Sequence, residues 1–138
     1  MKYLFLDTNV LMDLLKNMEP FVVEAEKLMK LVKRKRIRAF ISSTCYTDLY
    51  YLMRKSSSHN QTISALTKLE SMTTMISLSR NEVLAALSSN FSDFEDAVQH
   101  ACAVSGKKIE AIVTRDKKGF KKSLLPVLSP TEALAELA

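Results

Sequence analysis

The sequence predicts an α/β fold in which helices cover both faces of a central, mainly parallel sheet of four or five strands. Short apolar segments alternate along the chain with longer amphipathic segments. Each intervening segment is long enough for the crossover that parallel strands require. The 138 residues are 47% hydrophobic and 25% charged, with only two Gly and three Pro. This balance is typical of one compact domain, which we assign to residues 1–138.

Apolar periodicity places the elements in order. Continuous apolar runs predict strands at residues 2–6, 37–41, 73–78 and 110–114, with a short extended piece near Val127. Helical spacing of apolar residues predicts helices at 9–16, from Pro20 to about Arg34, from Ser42 or Ser43 through Met53, from the loop 56–61 through Leu69, and at 79–87, 93–104 and 131–137. A basic loop is predicted at 117–122.

Local signals support several of these helix starts. Pro20 suits the first turn of its helix, because proline lacks the N–H that is unpaired there anyway. Ser79 with Glu82, and Ser92 with Glu95, have the three-residue spacing of a capping box. Two helices are therefore expected to begin at these serines.

Composition also argues against several classes of protein. The longest apolar runs fall far short of the roughly 20 residues that a membrane helix needs. Residues 1–6 contain no hydrophobic signal-peptide region, so we expect a cytoplasmic protein without membrane attachment. Cys45 and Cys102 are expected to be reduced, half-buried thiols, and no Cys/His spacing resembles a zinc site.

The positive charge of the chain is clustered. The net charge is +5, and the basic residues form three groups: 27–38, 107–108 and 117–122. A single basic run is usually a solvated helix face. Three groups in a small domain favour a polyanionic partner, which these segments would bring to the functional site.

Five of the six aspartates map to predicted strand ends or to the helix starts beside them: Asp7, Asp48, Asp93, Asp96 and Asp116. Each alone could be a helix cap, a helix-dipole carboxylate or a turn residue. Together they would meet at one edge of a parallel sheet and would repel one another unless a cation lay among them. Carboxylates without Cys or His favour Mg²⁺ or Mn²⁺.

Four segments resemble, in this order, the motifs of PIN-domain nucleases, and by size those of the VapC-type ribonuclease toxins. They are LFLDTNVLMDLL, AFISSTCYTDLYYL, FEDAVQHACA and AIVTRDKKGF. The resemblance assigns the catalytic acids to Asp7, Asp48, Asp96 and Asp116. Asp48 is one methylene shorter than the usual Glu, so its contact with a metal stays open. The resemblance makes Asp7, Asp96 and Asp116 the metal ligands, with Asp48 and Asp93 as further candidates.

The same resemblance gives supporting roles to nearby polar and basic residues. Thr8, Asn9 and Thr114 would brace the acids by hydrogen bonds, and Arg115, Lys117 and Lys118 would contact RNA. It further implies a PIN-like three-layer α/β/α sandwich that hydrolyses RNA with Mg²⁺ or Mn²⁺. Such a toxin would form a homodimer and be inhibited by a small antitoxin protein.

Two other functions are compatible with parts of the pattern. DTNV at 7–10 approaches the start of haloacid-dehalogenase-like phosphatases, in which Asp7 would be the phosphorylated nucleophile. Asn9 counts against this, because that chemistry needs an acid at its position. The chain could also be a non-catalytic nucleic-acid-binding module of the PIN fold, in which case the clustered aspartates would have no catalytic role.

Overall fold

The computed structural model describes residues 1–137 and contains one sheet of five strands. The strands are β1 Lys2–Leu6, β2 Ile37–Ser42, β3 Thr74–Ile76, β4 Ala111–Val113 and β5 Val127–Leu128. Their spatial order is β3-β2-β1-β4-β5, and every neighbouring pair is parallel. The predicted parallel sheet is therefore confirmed, with β1 at its centre.

Helices connect the strands and cover both faces of the sheet. They are α1 Thr8–Leu15, α2 Val22–Lys33, α3 Thr44–Met53, α4 His59–Met72, α5 Arg80–Leu87, α6 Phe94–Ser105 and α7 Pro130–Glu136, with a 3-10 helix at Lys117–Phe120. Alternate residues of β1 point to opposite faces. Leu4 and Leu6 pack into the core beneath α1–α4 and α7, whereas Phe5 packs with α6 and the 3-10 helix. This is the predicted three-layer α/β/α sandwich.

The parallel topology creates two distinct edges. All five strands end at one edge, which we call the carboxyl edge, and begin at the opposite one, the amino edge. The chain leaves β1 directly into α1 and leaves β4 into the 3-10 helix, so both exits from the centre of the sheet open onto the carboxyl edge. Ligands of open parallel sheets bind at this edge.

Some predicted boundaries are wrong in detail. Pro20 precedes its helix, which begins only at Val22. The basic segment predicted as a loop begins with the 3-10 helix. Glu82 accepts a hydrogen bond from the Ser79 backbone as expected, at 3.0 Å. The capping box expected at residues 92 and 95 does not form, because Asp93 caps α6 by accepting a hydrogen bond from the Asp96 backbone N–H.

No helix within residues 1–137 combines the length and the apolar character that crossing a membrane would require.

Candidate active site

Asp7 lies where β1 ends and α1 begins, and only 5% of it is exposed. It is the N-cap of α1: its Oδ1 accepts a hydrogen bond from the Thr8 backbone N–H at 2.8 Å. Its Oδ2 accepts another from the Thr114 hydroxyl at 2.8 Å. Burial raises the pKa of Asp7, the two hydrogen bonds oppose this, and the neighbouring carboxylates of Asp116 and Asp93 raise it further.

The buried Thr114 hydroxyl connects the two strand ends that carry acids. Besides donating to Asp7, it accepts hydrogen bonds from Asn9 Nδ2 at 3.1 Å and from the backbone N–H of Asp116 at 3.1 Å. Asn9 Oδ1 in turn accepts from the backbone N–H of Arg115 at 3.3 Å. The structure thus places the polar residues that the sequence singled out around Asp7 and Asp116, where they hold the two segments together.

Asp96 approaches the same edge from the first turn of α6. Its backbone N–H donates to Asp93 Oδ1 at 2.9 Å, so Asp93 caps the helix. Burial and the negative charges of Asp7, Asp93, Asp116 and Glu95, in decreasing order, raise the pKa of Asp96 to about 6. Carboxylates from β1, β4 and α6 therefore converge, although they are far apart in sequence.

Asp48 lies at the margin of this group. Burial has the largest effect in raising the pKa of Glu95. The negative charges of Asp48, Asp7 and Asp93 raise it further, in that order. Asp48 is not among the carboxylates that perturb Asp7 or Asp96. Glu95, which the sequence analysis treated only as a capping residue, belongs to the group. The signal for it was three acids within four residues at the start of a helix. We call Asp7, Asp48, Asp93, Glu95, Asp96 and Asp116 the acid cluster.

A buried amide fixes the helices that carry these acids. Gln99 lies one turn after Asp96, is fully buried, and donates from Nε2 to Thr8 Oγ1 at 2.9 Å and to Cys45 Sγ at 3.3 Å. Thr8 Oγ1 and Cys45 Sγ are themselves 3.2 Å apart. This triangle joins α6, α1 and α3, and Thr8 adjoins Asp7, so it holds together the helices that carry or adjoin the acids.

Gly119 in the 3-10 helix leaves room for the carboxylates. A Cβ at this position would overlap Asp96 Oδ2 and lie 3.3 Å from Asp116 Oδ2. Gly119 does not have a positive φ, so the backbone itself would accept another residue. The glycine is therefore required here by the close approach of Asp96.

Replacing Gly119 by Ala is expected to displace the Asp96 carboxylate and to lower the cleavage activity that the sequence resemblance predicts by about 10²-fold, the cost of misplacing a reactive group by about 1 Å. The measurement is kcat/KM on a defined RNA, the substrate that the resemblance predicts, together with the thermal midpoint. Gly106→Ala is the matched control, because its Cβ would meet Ile109 instead of an acid. This control should lose stability but not specific activity. A Gly119→Ala protein as active as wild type would contradict the assigned position of Asp96.

The basic residues that the sequence analysis assigned to RNA have different surroundings. Arg115 donates from Nη2 to Asp13 Oδ1 at 3.0 Å, and its guanidinium carbon lies 3.9 Å from the centre of the Phe21 ring. We therefore assign Arg115 to holding the end of β4 against α1. Lys117 Nζ lies 2.8 Å from Glu132 Oε1 in an exposed ion pair, and Lys118 is exposed beside it.

The donor set of the acid cluster fits a hard divalent cation. It consists of carboxylate oxygens, the ligands that Mg²⁺ and Mn²⁺ prefer. Within residues 1–137, no three Asp, Glu, His or Cys side chains are already drawn together tightly enough to hold a metal ion. Burial has the largest effect on the pKa values of Asp7 and Asp96, and the neighbouring carboxylates raise both further, so negative charge accumulates here. A cation bound among these carboxylates would neutralise that charge.

In the metal-free protein, the contribution of Asp96 to stability should fall as pH rises from about 4 to about 6. The folded pKa of Asp96 is about 6 and the ordinary value is 3.8, so over this interval the unfolded chain releases a proton that the folded chain retains. Asp96→Asn removes the effect. In EDTA, its thermal midpoint should match wild type at pH 4 and exceed it above pH 6.5, as melts from pH 4 to 8 would show. A midpoint difference independent of pH would contradict this electrostatic account.

The chain is similar to known proteins in sequence and in fold. A sequence model of the PIN domain matches residues 3–118. A search of curated proteins finds no match. Among solved structures, VapBC2 from Rickettsia felis, bound to a promoter DNA fragment, matches with TM-score 0.65 and 20% identity over 92% of this chain and 98% of that one. A toxin–antitoxin complex from Klebsiella pneumoniae matches with TM-score 0.68 and 21% identity over 91% and 96%.

The third similar structure is that of a toxin whose description states what it cleaves. Mycobacterium tuberculosis VapC20, a sarcin–ricin loop cleaving toxin, matches with TM-score 0.60 and 16% identity over 79% of this chain and 86% of that one. At such identities, these similarities establish a shared fold.

Proposed function

The chain belongs to the PIN domain family, and we propose that it is a divalent-metal-dependent endoribonuclease that hydrolyses RNA phosphodiester bonds. The observation that carries this proposal is the convergence of Asp7, Asp96 and Asp116 at the carboxyl edge. They come from three separate elements, and burial together with the neighbouring negative charges, of which Asp7 contributes most, raises the pKa of Asp96 to about 6. A fold does not accumulate uncompensated carboxylates for stability, so the cluster indicates a cation-dependent function.

Each acid has a proposed role. Asp7, Asp96 and Asp116 would hold Mg²⁺ or Mn²⁺, while Asp48 and Asp93 lie around them. When bound, such an ion supplies positive charge for the phosphate oxygens and makes a bound water more acidic. The chain itself orients Asp7 through the hydrogen bonds from Thr8 and Thr114. Asp93 holds the first turn of α6, which positions Asp96.

We further propose that the protein is the toxin of a toxin–antitoxin pair and acts in the cytoplasm. Its similarity to VapBC2, to the Klebsiella pneumoniae toxin–antitoxin complex and to the VapC20 toxin supports this. A small antitoxin protein would be its partner, and two copies would form a homodimer. Expression of the chain should arrest growth, and co-expression of a small protein from a neighbouring reading frame should restore it.

The phosphatase alternative has less support. Asn9 stands where an acid is needed, and both ends of its side-chain amide are engaged: Nδ2 donates to Thr114 and Oδ1 accepts from Arg115. That function would also leave Asp96 without a role. A trapped phosphoryl adduct on Asp7 would be its signature.

A cleavage assay tests the proposal and separates it from a non-catalytic module. The purified chain is incubated with defined structured and unstructured RNAs in Mg²⁺, Mn²⁺ or EDTA, and products are resolved on a gel. We expect endonucleolytic products in either metal and none in EDTA. Intact RNA under all conditions would overturn the proposal, as would cleavage that EDTA leaves unchanged.

A further inference from the structure

The amino edge of the sheet, opposite the acid cluster, carries a group of cations that the proposed chemistry does not use. We call this group the basic edge; it consists of Lys33, Arg34, Lys35, Arg36, Arg38, Lys107 and Lys108. All seven are exposed. Within residues 1–137, none of them forms an ion pair, since the pairs found there involve other lysines and Arg115. The basic edge therefore presents positive charge to solvent.

Hydrogen bonds show that the two parts of the basic edge are neighbours. The turn before β2 contacts the start of β1, because the backbone oxygen of Arg36 accepts from the Lys2 backbone N–H at 3.0 Å. The turn before β4 contacts it from the other side, because Glu110 Oε2 accepts from the Tyr3 backbone N–H at 2.9 Å. Lys35 and Lys107 thus lie in turns that lead into the two strands on either side of β1.

Two lysines of the basic edge have a backbone conformation that favours glycine. Lys35 has φ 59° and Lys107 has φ 54°, in the left-handed region that glycine adopts without penalty. Both turns follow a helix end, where glycine is the preferred residue. At both positions the lysine side chain disagrees with the residue type that the backbone favours. Such disagreements are found at functional surfaces.

The location of this charge corrects an expectation from the sequence. The basic groups were expected to surround the functional site, but only the third, at 117–122, lies beside the acid cluster, where Gly119 contacts Asp96. The basic edge is separated from it by the length of β1, five residues or about 17 Å. A ligand bound at the basic edge is therefore not at the bond to be cut.

We propose that the basic edge binds the phosphate backbone of a helical RNA segment distant from the cleaved bond. This rests on the proposed ribonuclease function. The acid cluster repels a polyanion, and in the basic group beside it Lys117 is already paired with Glu132. The unpaired cations of the basic edge add attraction at a second place on the surface. Single-stranded RNA would need exposed aromatic rings among the cations. The rings beside this edge are Tyr3, which is half-buried, and Phe40, which is buried beneath Arg38. Contact with a helical backbone needs only the charges.

The double variant Lys35→Gly/Lys107→Gly tests this surface. Binding to a fluorescent hairpin RNA is measured by anisotropy in EDTA, where the RNA is not cut. We expect a 5- to 10-fold weaker Kd, a salt dependence shallower by about 1.5 in log–log slope, and an equal or higher thermal midpoint. The control Lys27→Gln/Lys55→Gln removes the same charge from the middle of α2 and from beyond α3, and should change Kd less than 2-fold.

Further arms separate the possible outcomes. In Mg²⁺, the glycine variant should cut a short unstructured RNA at the wild-type rate but show a raised KM on the hairpin. Equal losses for duplex RNA and duplex DNA support backbone recognition, and binding confined to DNA would overturn the assignment to RNA. Unchanged hairpin affinity, or an equal loss in the control, would contradict the proposal that the basic edge binds RNA. If the wild type cuts no RNA, the proposed function is wrong. The anisotropy measurement still shows whether the basic edge binds RNA.

Discussion

Asp96→Asn is expected to lower metal-dependent RNA cleavage by about 10³-fold or more, and Asp7→Asn by a similar factor. Each change removes a carboxylate from the acid cluster and replaces it with a neutral amide, which binds Mg²⁺ more weakly and no longer attracts it by charge. Asn has nearly the same shape as Asp. The pKa of Asp96, raised to about 6, also shows that the fold favours its neutral form. The loss should therefore occur without unfolding.

The test is single-turnover cleavage of a defined RNA at saturating Mn²⁺, with the thermal midpoint measured in parallel. Asp48→Asn is the graded control, because Asp48 is not among the charges that perturb Asp7 or Asp96. We expect it to lower the rate by less than about 10²-fold, the range usual for groups that act on a metal site indirectly. Wild-type rates in both Asp7→Asn and Asp96→Asn would remove the basis for the metal site.

Arg115→Ala is expected to destabilise the protein by about 3 kcal/mol, because it leaves a buried carboxylate without its partner. The Asp13 side chain is only 3% exposed, whereas that of Arg115 is 34% exposed. Asp13→Ala should cost less, since the guanidinium it releases can turn into solvent. The asymmetry is the distinctive expectation. It arises because the two charges of one ion pair differ in their access to water.

Urea unfolding of Arg115→Ala, Asp13→Ala and the double variant measures both costs and their coupling. The double variant should be more stable than Arg115→Ala, because it no longer contains the unpaired buried charge. Equal losses in the two single variants, or a double variant that is the least stable of the three, would contradict the burial argument.

The sequence was sufficient for the architecture and for Asp7, Asp96 and Asp116 as converging acids, but it did not identify Glu95 as a member of the acid cluster. Strand–helix alternation predicts a parallel sheet, and a parallel sheet brings Asp7 and Asp116 to one edge whatever the side-chain details. The sequence was less informative about α6. Asp93 and Ser92 are both good caps, so a shift of one residue in the helix start could not be decided from spacing.

Long-range side-chain contacts could not be predicted from the sequence. The partners of Gln99 lie 91 and 54 residues away, so nothing local distinguishes it from an ordinary helix residue. The need for Gly119 depends on how closely α6 approaches the 3-10 helix. The basic run at the end of α2 was misplaced for a similar reason. Its position at the amino edge follows from the direction in which α2 crosses the sheet.

Direct titration with Mn²⁺ tests the central claim, that the acid cluster is a divalent-metal site. Isothermal calorimetry at pH 7.5 compares wild type with Asp96→Asn, and thermal melts show that both are folded. We expect saturable binding to wild type and at least a 10-fold weaker affinity in Asp96→Asn. The same affinity in both proteins, or no saturable binding to wild type, would contradict it.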